Sequence, residues 1–253
     1  MSLALARFCR EASDGSLPAD ASGVLCCATL IPLKKANGGI RPIAIGEILR
    51  RLIGKTILQN PLCKSQLSKL QPLQAGLGTP HACEMIAMGV QNMIQLLPTE
   101  GDWAVLQLDL SNAFNSVSRT AVLEGAKALA PNTYNWLRFC YARPVPLYCG
   151  DKVLASETGV HQGDPLGPAG FALAIHAEIK AILTSTPTLW GSFYLDDGLL
   201  IGRTPLLLAA LDKLATFFSS VGLSVNPTKT TLWGPSVHTL TLTPACCEVT
   251  CIP

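Results

Sequence analysis

The chain is 253 residues long, 49% hydrophobic and only 14% charged, with a formal net charge of +2. That length allows a sizeable core, and no apolar run approaches the roughly 18 residues that a membrane span needs. The start carries Arg7, Arg10 and Glu11 and lacks the apolar core of a secretion signal. The expectation is therefore an intracellular protein without a membrane partner, nucleus and cytoplasm not being distinguished.

Residues 1–23, rich in Ala, Ser, Gly and Asp, read as a loose lead-in. A strand pair is predicted next, Thr29 to Leu33 and Ile40 to Ile45, around a turn at Asn37-Gly38-Gly39. Residues 46–59 place Ile48, Leu49, Leu52, Ile53, Ile57 and Leu58 at helical spacing, with Arg50, Arg51 and Lys55 off that face. A glycine-punctuated loop over 74–79 precedes a helix over 81–97. An apolar strand at 104–110 leads to a helix near 118–130, opened by Ser118 and stopped by Pro131, and to another near 133–142. A hairpin of 145–149 and 152–156 turns at Gly150-Asp151. Pro168 suits the first turn of a long apolar helix to about 184, where its missing N–H is not needed. A second hairpin follows around 190–201, then a helix over 204–220 and short strands at 223–225 and 229–233. Strands and helices mix irregularly without repeats, an α+β pattern. The organisation expected is one body over 24–233 and a Cys-rich tail over 234–253.

Charge is unevenly spread. Residues 1–70 hold ten Lys and Arg against four Asp and Glu, and the remainder holds nine against thirteen. A basic first part and an acidic remainder suit a protein that meets phosphates with one region and cations with the other. The ten cysteines are scattered and contain no Cys-x-x-Cys pair, so buried or free thiols are expected rather than disulfides. His238, Cys246, Cys247 and Cys251 match no standard zinc spacing.

The most informative segment is Tyr194-Leu195-Asp196-Asp197. Adjacent acids at a hairpin tip repel, and their natural partner is a divalent cation that prefers oxygen. A further acid, Asp109, ends the apolar run Ala104-Val105-Leu106-Gln107-Leu108. Three carboxylates delivered from two strand ends are a minimal cradle for two metal ions acting on phosphoryl oxygens. Lys34, Lys35 and Arg41 lie near the ends of the first hairpin, where long cations can fold over a polyphosphate.

These features fall into ordered blocks: Arg41-Pro42-Ile43; Leu108-Asp109-Leu110-Ser111-Asn112-Ala113-Phe114; Gln162-Gly163-Asp164-Pro165-Leu166-Gly167-Pro168; Tyr194-Leu195-Asp196-Asp197; and Asn226-Pro227-Thr228-Lys229-Thr230. Together they resemble the reverse transcriptase domain, most closely that of non-long-terminal-repeat (LINE-type) retroelements, over residues 28–233. The resemblance implies an α+β right-hand polymerase of fingers and palm, with an antiparallel palm sheet backed by helices and the thumb absent. It implies an RNA-directed DNA polymerase, a fragment of a retrotransposon polyprotein, that adds deoxynucleotides to a primer by two-metal phosphoryl transfer. The cofactor implied is Mg²⁺, two ions, with Mn²⁺ as a substitute. The partners implied are an RNA template, a DNA or RNA primer and dNTPs, with thumb and endonuclease domains lost or supplied in trans.

The same resemblance assigns roles. Asp109 and Asp196 would bridge both ions, the Leu110 carbonyl would add a ligand and Asp197 would support from the next position. Phe114 would stand against the sugar and exclude a 2′-hydroxyl. Gln162 would touch the incoming nucleotide and Gly163 would permit close backbone approach, while Lys35 and Arg41 take the triphosphate. Lys229 would protonate or stabilise pyrophosphate. Arg50, Arg51 and Lys55 are expected on template or primer phosphate, with Gly76 and Tyr194 as further nucleic-acid contacts. Gly167 stands where relatives often have serine, and the loop at Gly76 lacks their usual basic residue. Two alternatives remain: an RNA-dependent RNA polymerase, from which Phe114 separates it, and a catalytically silent RNA-binding palm fragment.

Overall fold

The computed structural model describes residues 3–36, 38–98, 101–188, 190–235 and 250–252. In chain order, helix α1 (Leu3–Ser13) and the short α2 (Ser22–Leu25) lead into the hairpin of β1 (Ala28–Lys34) and β2 (Ile40–Gly46). Helices α3 (Ile48–Gln59) and α4 (Pro61–Ser68) follow. Asn60 caps α4 by accepting from the Leu62 amide, and Pro61 occupies its first turn. Helix α5 (Ala82–Leu96) precedes β3 (Trp103–Asp109) and the single turn α6 (Ala113–Ser116). Ser118 caps α7 (Arg119–Leu129), and Pro131 opens α8 (Pro131–Tyr141). Strands β4 (Val145–Cys149) and β5 (Lys152–Ser156) form the next hairpin, followed by the long α9 (Gly167–Ser185). The chain continues through β6 (Trp190–Tyr194), β7 (Asp197–Arg203), α10 (Thr204–Ser220), β8 (Thr231–Trp233) and β9 (Thr250–Ile252).

The chain divides into two compact units, Met1–Lys69 with Phe114–Ala174, and Leu70–Ala113 with Ile175–Pro253. The first contains a four-stranded sheet of order β2-β1-β4-β5, antiparallel in both hairpins and parallel where β1 meets β4. The second contains a five-stranded sheet of order β6-β7-β3-β8-β9. Strand β3 is central and antiparallel to both β7 and β8, while β9 adds to β8 in parallel. Its sequence is a near-continuous apolar run because the strand is covered on both faces. Trp103, Val105 and Ile201 form one core cluster there, on which Val90, Met93 and Ile94 of α5 pack. The mixed α+β class read from the sequence is the one observed.

Three local readings differ. The lead-in is not loose: α1 buries Cys9 and Ala12 and packs on α3 and α8. Residues 223–225 form no strand, only a single bridge from Val225 to Leu110. The buried face of α3 is Arg50, Ile53, Gly54 and Ile57, whereas Ile48 is 78% exposed. That is an i, i+3, i+4, i+7 stripe that keeps Ile53 and Ile57 of the predicted face but opens on an arginine in place of Ile48. The seven described cysteines form no disulfide. The candidate zinc residues of the tail lie outside the described residues, apart from Cys251, whose side chain is not described. No described helix is long and apolar enough to cross a membrane.

Gly125 on α7 lies against the backbone of α9, where an added Cβ would sit 2.2 Å from the Leu173 carbonyl oxygen. Backbone cannot yield as a side-chain tip does, so Gly125→Ala is expected to destabilise the protein by about 3 kcal/mol or more in chemical denaturation. An unchanged unfolding midpoint would contradict this helix contact.

Candidate active site

In the second unit, the register of β3 on β7 sets Asp109 directly opposite Asp197. Residues opposed in this way project to the same face of a sheet, with Cβ atoms about 5 Å apart. Strand β6 pairs Tyr194 with Asp197, which leaves Leu195 and Asp196 as the two-residue turn. Leu195 takes a left-handed φ of +60°, unusual for a residue with a branched side chain. The turn thus falls two residues before the Asp197-Gly198 pair. Gly198 lies within β7 because the Phe193 ring occupies the place of a Cβ, 2.6 Å away.

Burial raises the carboxyls of both Asp196 and Asp197, and the charge on Asp109 raises both further; Asp196 also feels Asp197. Asp109 itself is held on every side. Asn226 Nδ2 donates to its Oδ1 at 2.9 Å and Lys229 Nζ to its Oδ2 at 3.2 Å. The Asn226 amide donates to the Asp109 carbonyl at 2.8 Å, and the Asp109 amide to Thr230 Oγ1. The turn that presents Lys229 is closed by the Lys229 and Thr230 amides donating to the Asn226 carbonyl. Asn226 had not been singled out from the sequence. Its signal is an Asn-Pro pair just after a short apolar run, which reads as punctuation rather than as a site. Leu110 is buried and bridges Val225; the bridge bonds are made by the Asp109 carbonyl and the Ser111 amide, not by the Leu110 carbonyl.

The carboxyl triad fits divalent cations in donor type and charge, being all oxygen and mutually repulsive. Among the described residues, no group of three or more His, Cys, Asp or Glu is already gathered to hold an ion. The Lys229 ammonium on Asp109 Oδ2 supplies part of the positive charge that an ion would bring.

The candidates for the incoming nucleotide, Phe114, Gln162, Gly163, Lys35 and Arg41, lie in the first unit. The Phe114 ring stacks on Phe171 with centroids 5.0 Å apart and 11° between planes. The Gln162 carbonyl accepts from the Ala44 amide of β2 at 2.9 Å. Gly163 has φ +124°, and a Cβ there would meet the Ala44 carbonyl oxygen at 2.6 Å, so only glycine fits. The Gln162-Gly163 loop therefore runs beside the strand that carries Arg41. Arg41 is exposed, opposite Leu33, and Lys35 is exposed at the hairpin tip, where its amide donates to the Gly39 carbonyl.

Residues 33–243 match the family described as Reverse transcriptase (RNA-dependent DNA polymerase). The chain belongs to the reverse transcriptase family. It is 27% identical over 213 residues to the retrotransposable element SLACS 132 kDa protein of Trypanosoma brucei gambiense, covering 81% of this chain and 17% of that one. Its fold is similar to that of telomerase from Candida albicans in complex with a TWJ fragment of telomeric RNA, with a TM-score of 0.64 at 14% identity. That match covers 90% of this chain and 44% of the telomerase. Apo telomerase from Candida tropicalis gives a TM-score of 0.59 at 15% identity, over 83% of this chain and 50% of the other. Each relative is longer, so this reverse transcriptase domain spans half or less of the proteins it matches. Domains of this family use divalent metal ions.

One assigned residue of the reverse transcriptase domain must be corrected. Arg50 is 1% exposed and does not reach a nucleic acid surface. Its guanidinium donates to Asp164 Oδ2 at 2.6 Å, to the Cys26 carbonyl at 2.7 Å and to His161 Nδ1 at 3.0 Å, and lies over the Tyr141 ring. Arg51 and Lys55 are exposed, as the sequence suggested. Gly76 is half-buried, and a Cβ on it would meet the Leu195 side chain at 2.9 Å, so it packs beneath the carboxylate turn. The adjoining residues run along β6, the Phe193 amide donating to the Leu73 carbonyl and the Ala75 amide to the Phe193 carbonyl. Tyr194 is 38% exposed at the end of β6.

Burial, with Arg50 close by and Arg119 beyond, pushes His161 down from 6.5 to about 3, against the opposing pull of Asp164. The folded chain then keeps His161 unprotonated in a window where the unfolded chain takes up a proton. Stability should fall as pH drops from 6.5 towards 3, and His161→Gln should make that fall shallower, as read by denaturant midpoints at pH 7, 5.5 and 4.5. His176, lowered mainly by burial, keeps part of the slope. An identical pH profile for the variant would contradict a buried neutral His161.

Proposed function

We propose that this reverse transcriptase domain is an RNA-directed DNA polymerase that extends a primer 3′ end with deoxynucleotides, and that it is a piece of a retrotransposon protein. The observation that carries the reading is the register of β3 on β7, with Asp109 opposite Asp197 and Asp196 in the adjoining turn. Similarity to the SLACS protein supports the retrotransposon origin. Likeness in fold to a telomerase described with an RNA fragment is in keeping with an RNA template.

The residues that would hold two Mg²⁺ ions are Asp109, Asp196 and Asp197, with the Leu110 carbonyl. When bound, the ions supply acidification of the attacking hydroxyl and neutralisation of charge on the departing pyrophosphate. Asn226 keeps Asp109 Oδ1 oriented through its amide. Lys229, on the same carboxylate, is proposed to carry positive charge to the pyrophosphate once Asp109 is otherwise neutralised. Phe114, braced on Phe171, is proposed to exclude a 2′-hydroxyl by bulk. Lys35 and Arg41 would take the triphosphate and Gln162 the nucleotide, while the exposed Arg51, Lys55 and Tyr194 would meet template or primer.

Primer extension on an RNA template is expected to require dNTPs and Mg²⁺ or Mn²⁺, and Asp196→Ala should lower it by about a thousandfold or more. Equal extension by both proteins would overturn the assignment. A second expectation concerns sugar choice: Phe114→Ala should admit ribonucleotides, raising their incorporation relative to dNTPs by about tenfold or more. Unchanged selectivity would remove Phe114 from that role.

A further inference from the structure

The first unit contains a buried polar assembly that no assigned function uses. Its members are Arg50, Tyr141, His161 and Asp164, each no more than 5% or 6% exposed. Asp164 Oδ2 accepts from both Arg50 and the Tyr141 hydroxyl, each at 2.6 Å. The Tyr141 hydroxyl in turn accepts from the His161 amide at 3.1 Å. Arg50 can only donate, so His161 Nδ1 accepts from it and Nε2 keeps the proton that bonds Ser156 Oγ at 2.9 Å. Arg119 closes the outer end by donating to Ser156 Oγ and to the Gly159 carbonyl. Asp164 Oδ1 also accepts from the Leu166 amide.

What this assembly grips is one tetrapeptide, His161-Gln162-Gly163-Asp164. His161 is fixed through its ring and its amide, and Asp164 through both carboxylate oxygens. Between them, the Gln162 carbonyl is tied to the Ala44 amide, and Gly163 has a conformation and a clearance open only to glycine. Gln162 is left as the one side chain of the four that is polar, half-exposed and outside the assembly. Stability alone is a weak reason for such an arrangement, because apolar replacement of a buried ion pair is often neutral or stabilising. Short charge-assisted bonds do, however, define a backbone path more narrowly than apolar packing.

We propose that Arg50, Tyr141, His161 and Asp164 form one positioning device that fixes the backbone at Gln162 and so sets the affinity for the incoming nucleotide. This rests on the polymerase reading, in which Gln162 meets that nucleotide. Arg50 is then a positioning residue acting through Asp164 rather than a phosphate contact.

The test uses Tyr141→Phe, which removes one hydroxyl from the centre, and the paired Arg50→Met, Asp164→Asn, which removes both charges and keeps an acceptor for Leu166. Two readouts are compared with wild type: steady-state dNTP kinetics and backbone amide exchange over 159–167. The expected result is a KM for dNTP raised about fivefold to tenfold with kcat within about twofold, and faster exchange confined to this loop. A folded Tyr141→Phe protein with unchanged KM and unchanged exchange overturns the proposal, as does a fall in kcat at constant KM. If the wild type itself extends no primer, the polymerase reading fails. Exchange then decides the device alone: faster exchange in Tyr141→Phe supports it, and wild-type exchange removes it.

Discussion

Two like charges stand face to face at the end of a β-ladder whose middle is mostly apolar, and the second unit is arranged around that opposition. Like charges directly opposite on neighbouring strands are unfavourable by about 0.2–1 kcal/mol, and burial of Asp196 and Asp197 adds to the cost. The fold offsets the penalty locally. Asn226 and Lys229 occupy the two oxygens of Asp109, and the bridge from Leu110 to Val225 brings that turn alongside the end of β3. A site held in this way carries negative charge that a lysine only partly neutralises. Cations of higher charge are the natural complement.

The first unit solves a different problem with similar chemistry. It buries a full ion pair, Arg50 with Asp164, beneath a loop that contains a glycine no other residue can replace. In the second unit, acids are kept apart from sufficient countercharge; here, acid and base are matched so closely that Asp164 is held below the usual carboxylate range despite its burial. Arg50 and the Tyr141 hydroxyl outweigh desolvation there. One arrangement stores unbalanced charge for a ligand, and the other uses balanced charge for shape.

Much of this was legible in the sequence, and the exceptions have a common cause. The central strand ending in Asp109, the second hairpin and α10 followed from apolar runs bounded by turn residues, because those signals are local. The family was legible from five ordered blocks. Arg50 was misplaced because an arginine at an inward position breaks the rule that charges face water, and its partner Asp164 lies 114 residues away. Asn226 was overlooked for the same reason: its bonds to Asp109 cross 117 residues. The helix α1 was missed although Leu3, Ala4, Leu5, Ala6, Arg7 and Glu11 are good helix formers, because the Ser, Gly and Asp residues that follow it read as a loop.

The most direct measurement is binding of Mn²⁺ to the purified chain, followed by electron paramagnetic resonance in the absence of nucleic acid. Wild-type protein should remove free Mn²⁺ signal on titration, Asp109→Asn should lose most of that binding, and Lys229→Ala should strengthen it by vacating the carboxylate. Equal Mn²⁺ uptake by wild type and Asp109→Asn would contradict a cation site built on the opposed aspartates.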